Sequence, residues 1–381
     1  MTAGAAPRAW ALAFVVLAFS LPHVASAQKP TPPPKKNPLL KLAQPWPDAE
    51  QMKQRKADAE ALPLFAKPDR LTLTLAGDFK TVNKDHDPNS AKRYPAELRV
   101  ERENGGQIDV LKVQLGARGH VRRMARTCDF VPLRVEFEKD KLKGTVFEGQ
   151  SVLKLVVQCA GGGDFEQYIY REYLAYRTYN LLMPRSFRAR LAKVNYVDPA
   201  GKTVGTRAGF FLEDDGDVAK RMGGRTVGLP RVLFKDTDRD TLLNTMIFAY
   251  MIGHTDLSIY ALHNMVLVQT PDRTLYTVPY DFDISGLVHP PYAIPSRELM
   301  IKSVQDRLYR GPCLAQELVD PIVANFVAKK DLILALPAAI PEMDKSSRDD
   351  VKSYLDSFYS SIKNSKDVKR LFCDCKDKPT M

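Results

Sequence analysis

Apolar and polar residues alternate in short runs along the first half of the chain. In RLTLTLAG (70–77), Leu71, Leu73 and Leu75 are separated by threonines, the period of a half-buried strand. AELRVERENGGQIDVLKVQLGARG (96–119) carries two such runs about an Asn-Gly-Gly turn, a hairpin signal. VPLRVEFE (131–138) alternates again, and SVLKLVVQC (151–159) predicts a more buried strand. The glycines at 161–163 read as a flexible turn into a tyrosine- and leucine-rich helix that stops at Pro184. Asp164 and Gln167, three residues apart, predict a capping box at its start. Residues 189–197 and 204–213 read as two further strands joined by the turn DPAGK.

The period changes in the second half. TDRDTLLNTMIFAYMIGH (237–254) places Leu242, Leu243, Met246, Ile247 and Tyr250 on one side of a helix that Gly253 closes. HNMVLVQTPDRTLYTVPYDFD (263–283) reads as a hairpin about Pro271-Asp272-Arg273, and the chain from Leu314 onward as helical with a basic tail.

The N-terminus follows a different pattern. Arg8, an apolar run from Trp10 to Leu21, and Ala25-Ser26-Ala27 predict a secretory signal peptide over 1–27. QKPTPPPKKNP (28–38) predicts an exposed linker, and 48–61 a weak helix within an N-terminal extension reaching 66. No later run reaches the roughly 18 apolar residues of a membrane helix, so the expectation is an exported protein, periplasmic or secreted. The formal charge of +11 favours anionic partners; no nucleic-acid-binding motif is present. Five cysteines outside the cytoplasm can form disulfides, Cys128 with Cys159 and Cys313 with Cys373 or Cys375, leaving one thiol over. Metal binding by the Cys-x-Cys at 373–375 is the alternative.

The chemistry concentrates in GHTDLSIYALHNMVLVQTPDRTLYTVPYDFDISG (253–286). Asp256 follows a helix end, His263-Asn264 starts a strand, and Asp281 and Asp283 lie where the returning strand runs out. A hairpin brings its start and finish together, so Asn264 is expected near Asp281, with Asp256 close to both. Carboxylates so gathered repel one another unless a proton or cation relieves them, and hard oxygen donors suit magnesium or manganese. Phosphoryl transfer needs such a set: one aspartate for the acceptor hydroxyl, an asparagine and a second aspartate for metal. Arg118, Arg122, Arg123 and Arg126 form a basic run that is either a solvated loop or a phosphate-facing patch.

With GARGHVRR (116–123), VPLRVEFE, VLKLVVQ, the tyrosine-rich helix, AGFFLEDD (208–215), GHTDLSIYALHN and VPYDFDISG in order, the chain resembles the CotH-like spore-coat kinase family over roughly 110–290. The resemblance implies an α+β, two-lobed atypical protein-kinase-like fold, with a strand-rich N-lobe over 67–213 and a mainly helical C-lobe over 214–381. It implies an exported, metal-dependent, ATP-using phosphotransferase acting on a hydroxyl of a protein or envelope polymer. Asp256 matches the catalytic aspartate, Asn264 the metal-binding asparagine, and Asp281, supported by Asp283, the metal-binding Asp-x-Asp. Lys154, paired with Glu172 or Glu166, and Arg118 are the expected nucleotide contacts. The sequence departs from ordinary kinases in the eight-residue step from Asp256 to Asn264 and in lacking a Gly-x-Gly-x-x-Gly loop. Two alternatives stand beside this reading. One is a non-catalytic binding or structural module on a degenerate kinase-like fold. The other is a metal-dependent hydrolase using His254, Asp256, His263, Asp281 and Asp283.

Overall fold

The computed structural model describes residues 1, 2, 4, 40–101, 106–162 and 164–376. The signal peptide apart from residues 1, 2 and 4, the linker as far as residue 39, Asn104-Gly105 of the hairpin turn and Gly163 lie outside the described residues. By their contacts, Met1–Asn37 and Pro38–Met381 are two separate units.

Seven strands close into a barrel in the order β1 (Leu71–Gly77), β2 (Tyr94–Glu101), β3 (Ile108–Ala117), β4 (Leu133–Phe137), β5 (Val152–Val157), β7 (Thr203–Leu212) and β6 (Ala189–Val197). The two-lobed kinase-like fold that the motifs imply is therefore corrected: a closed barrel replaces an N-lobe sheet. The cause is a long-range pairing. β1 runs parallel to β6 from Leu71 opposite Ala192 to Ala76 opposite Val197, which seals the sheet. Every other contact around the barrel is antiparallel.

Alternation along the strands fills the barrel: Leu71, Leu73 and Leu75 of β1, Leu98 and Val100 of β2, and Leu133 and Val135 of β4 belong to one buried cluster, with Phe79, Phe130 and Tyr196 in ring contact. β5 and β7 serve two cores. Leu155, Val157 and Phe211 point into the barrel, whereas Val156 and Phe210 point into a second cluster built on the helices Phe165–Leu182 and Arg239–Ile252. Both faces are buried over 155–157 of β5 and 208–212 of β7, in keeping with the more buried strand that SVLKLVVQC predicts.

The helix Phe165–Leu182 starts at Asp164, but the capping box does not form: the Asp164 side chain accepts no capping bond. Gln167 instead ties the helix to the C-terminal region, donating to the Glu342 carbonyl (3.3 Å) and accepting from the Asp344 N–H (3.0 Å). β9 (Met265–Gln269) and β10 (Leu275–Pro279) form the expected hairpin, extended by the two-residue β8 (Arg225–Thr226). The N-terminal extension contains the helix Ala49–Glu60, capped by Asp48, and docks on the barrel end. There Arg188 donates to the Ala59 carbonyl (2.7 Å) and Arg190 to the Leu64 carbonyl (3.0 Å).

Two disulfides, Cys128–Cys159 and Cys313–Cys375, join the pairs open to them by sequence; Cys373 stays outside both. Among the described residues no helix is long and apolar enough to cross a membrane.

Candidate functional site

The helix Arg239–Ile252 ends at Gly253, which adopts the left-handed conformation (φ 65°) and lets the His254 N–H turn back to the Ala249 carbonyl (2.7 Å). A side chain at Gly253 would also collide with the Tyr354 hydroxyl. This turn delivers Asp256 at the helix end. Ser258 and His263 then pair across a pinched loop, with Leu262 and Asn264 both at positive φ (50° and 55°). For leucine that backbone is unusual and local contacts must hold it. The loop absorbs the eight-residue step and returns Asn264 to Asp256: its amide Nδ2 donates to the Asp256 carbonyl (2.7 Å) and to Oδ2 (3.0 Å).

The hairpin brings its two ends together as expected. Pro279 lies opposite Met265, and the Tyr280 N–H donates to the Asn264 carbonyl (3.0 Å), so Asp281 emerges beside Asn264. Asp281 is itself left-handed (φ 62°), and its N–H donates to the Tyr176 hydroxyl (2.8 Å). Phe282, fully buried, packs on Tyr176, Phe248 and His254 and anchors the two aspartates flanking it. Asp283 accepts from the Tyr292 hydroxyl (3.2 Å). Burial, then repulsion from Asp281, pushes the Asp283 carboxyl up to about 7, against the opposing pull of Arg122.

His254 is buried, and that burial lowers its pKa, so the ring is neutral at pH 7. Its Nδ1 faces the Ile284 carbonyl at 3.3 Å, which requires the proton on Nδ1; Nε2 has no partner. His263 Nε2 lies 3.3 Å from Asp256 Oδ1.

A basic loop faces these acids. β3 gives way to Arg118, Gly119, His120 and the turn Val121–Arg123. Arg123 is tied down by Asp85 (2.8 Å). Arg122, also buried, donates to the Val157 carbonyl and approaches Glu172 at 3.9 Å. Burial works to discharge Arg122, but Tyr292, Asp283, Glu172 and Asp281 together hold its pKa above the ordinary value. Glu172 is buried on the helix Phe165–Leu182; burial, reinforced by Asp283, drives its carboxyl well above the usual range, and Oε1 has no partner. The disulfide Cys128–Cys159 closes the same loop onto the end of β5.

One cleft of about 350 Å³ thus has Asp256, Asn264, Asp281 and Asp283 on one side and Arg118, His120 and Arg122 on the other. The expected Lys154–Glu172 pair does not form. Leu153 and Leu155 occupy the barrel core, so Lys154 projects outward, pairs with Asp215 (2.5 Å) and lies over the Tyr280 ring (4.6 Å); it does not line this cleft. Glu172 sits behind the cleft wall and its cation is Arg122.

Of the buried groups around the cleft, Arg122 belongs to the basic run expected to be either a solvated loop or a phosphate-facing patch, whereas no sequence pattern singles out Tyr176 or Tyr292. Only the arginine run carried a signal; the tyrosine contacts depend on tertiary placement. Among the described residues no three or more His, Cys, Asp or Glu side chains form a ready-made metal cage. The candidate donors that line the cleft are all oxygens: the carboxylates of Asp281 and Asp283 and Asn264 Oδ1, which no hydrogen bond engages among the described residues. Such a set suits magnesium, which binds through one or two carboxylates plus substrate phosphates and seldom through an all-protein cage. No protein-family model matches the chain, and no curated protein matches its sequence.

Proposed function

We propose that the cleft transfers a phosphoryl group from ATP to a hydroxyl of a protein or envelope polymer, with magnesium or manganese as the metal. The observation that carries this reading is the pairing of an acidic, oxygen-rich wall with an arginine-bearing wall across one cavity. A metal–phosphate ligand needs both signs of charge. Asp281, Asp283 and Asn264 would hold the metal, which would supply positive charge to offset that of the phosphates. Arg118 and His120 would contact phosphate oxygens, and buried Arg122, backed by Glu172, adds positive potential behind them. Asp256, oriented by Asn264 and beside His263, would accept the proton of the incoming hydroxyl. Export fits the two disulfides, which persist in oxidising compartments.

The position of Lys154 favours a second reading, a binding module that holds an anionic ligand without turning it over. Thermal shift with ATP and magnesium tests binding: at 100 times Kd the ligand adds about 2.7 kcal/mol of stability. The expected result is a magnesium-dependent rise in Tm that Asp281→Ala abolishes. A flat response in the wild-type chain overturns the phosphotransfer reading. Binding with no turnover on any hydroxyl acceptor, and no change in turnover in Asp256→Ala, leaves the binding module.

A further inference from the structure

A second cavity opens on a different face of the helix Phe165–Leu182. Its volume is about 560 Å³, within the range of small-molecule sites. The walls are mainly apolar, with Tyr173, Leu174, Leu191 and Ile340 buried and Leu336 partly covered. Residues 172 and 176 turn towards the first cleft while 173, 174 and 177 turn to this cavity, as a 3.6-residue repeat requires.

The charges at its rim do not cancel. Arg70 is paired with Glu342, and Asp69 with Arg190 (2.9 Å). Arg177 remains. Among the described residues it has no carboxylate partner; its Nη1 donates to the Tyr173 hydroxyl (3.2 Å) and its guanidinium lies 6.0 Å from that ring. The remaining donors of this half-buried fork can take a planar anion.

We propose that this cavity binds a fatty-acid-like monoanion, its hydrocarbon body among Leu174, Leu191, Leu336 and Ile340 and its carboxylate on Arg177. A neutral apolar ligand would leave Arg177 uncompensated. A phosphate dianion would need a second cation, and the other arginine lining the cavity, Arg70, is already committed to Glu342. The site is independent of the phosphotransfer reading.

Titration calorimetry of the full chain with decanoate, decanol and decyl phosphate, each below its micelle concentration, tests the proposal. Decanoate is expected to bind one-to-one and at least tenfold more tightly than either of the others. Arg177→Gln should erase the preference for decanoate over decanol. Leu336→Trp, which fills the cavity from its partly exposed side, should weaken decanoate at least tenfold with Tm unchanged. The wild-type comparison needs no variant. Absence of saturable one-to-one binding, equal affinity for decanoate and decanol, or tighter binding of decyl phosphate overturns the proposal. So does Arg177→Gln binding decanoate like wild type, or multiple-site uptake that Leu336→Trp leaves intact.

Discussion

Two glutamates lie fully buried and next to arginine, yet they occupy opposite kinds of environment. Glu213, at the end of β7, accepts from the Arg188 backbone N–H (2.9 Å), from Arg188 Nε (3.0 Å) and from Arg221 Nε (2.7 Å), so both its oxygens are engaged. Glu172 has its arginine at 3.9 Å, one oxygen without a partner, and a carboxyl driven far above its usual range by burial and by Asp283. Glu213 stitches the barrel end to the following helix. Glu172 stands behind a cleft in an arrangement that does not satisfy it. A buried carboxyl with both oxygens engaged is satisfied by the fold itself, whereas one left short marks a candidate binding site.

This contrast can be broken most forcefully at Glu213. Replacing it with glutamine leaves Arg188 and Arg221 without their anion, and the expected loss is about 3–5 kcal/mol in denaturant unfolding. A loss under about 1 kcal/mol would erase the distinction between the two glutamates. Next in size is the tether of the Arg122 loop. Paired serines at Cys128 and Cys159 remove a cross-link spanning 31 positions, with an expected cost of about 3.7 kcal/mol by the loop-entropy argument. Reactivity of Arg122 to an arginine-specific reagent should rise in the same variant.

Asp283 sharpens the comparison through pH. Its carboxyl titrates near 7 in the fold and near 3.8 when unfolded, so between those values the native state binds the extra proton. Its contribution to stability therefore falls as pH rises from about 4 to 7 and is at its least favourable above 7. Asp283→Asn should flatten that slope in unfolding measurements across pH 4–8. A divalent cation at the proposed site would displace the same proton, so magnesium affinity should strengthen through pH 7. Smallest is Glu172→Gln. Burial and Asp283 already disfavour its charged form, so the isosteric neutral amide should cost less than about 1 kcal/mol, and a large loss would return Glu172 to the class of Glu213.

Local pattern carried much of this architecture. The threonine-leucine alternation of β1 and the helix closed by Gly253 follow from short-range chemistry, and both hold in the structure. So does the juxtaposition of Asn264 and Asp281, because a hairpin obliges its ends to meet. Barrel closure had no local signature: nothing in Leu71–Gly77 names Ala189–Val197 as its neighbour. The pairing expected of Lys154 with Glu172 fails for a related reason. A period of two tells which side of a strand a residue faces, not what stands there, and Asp215 stood there instead of Glu172. Tyr292 was invisible because its value lies in one hydroxyl reaching Asp283 from a loop without periodicity.

The parallel seam has a bearing on how the chain comes to be folded. β1 acquires its second neighbour only when residues 189–197 arrive, more than a hundred positions downstream. During vectorial synthesis or threading through a membrane pore, one side of that strand stays open while all of β2 to β5 is already available. Over that interval the nascent polypeptide presents an unpaired edge of alternating leucines, the stretch on which a chaperone would have most to protect.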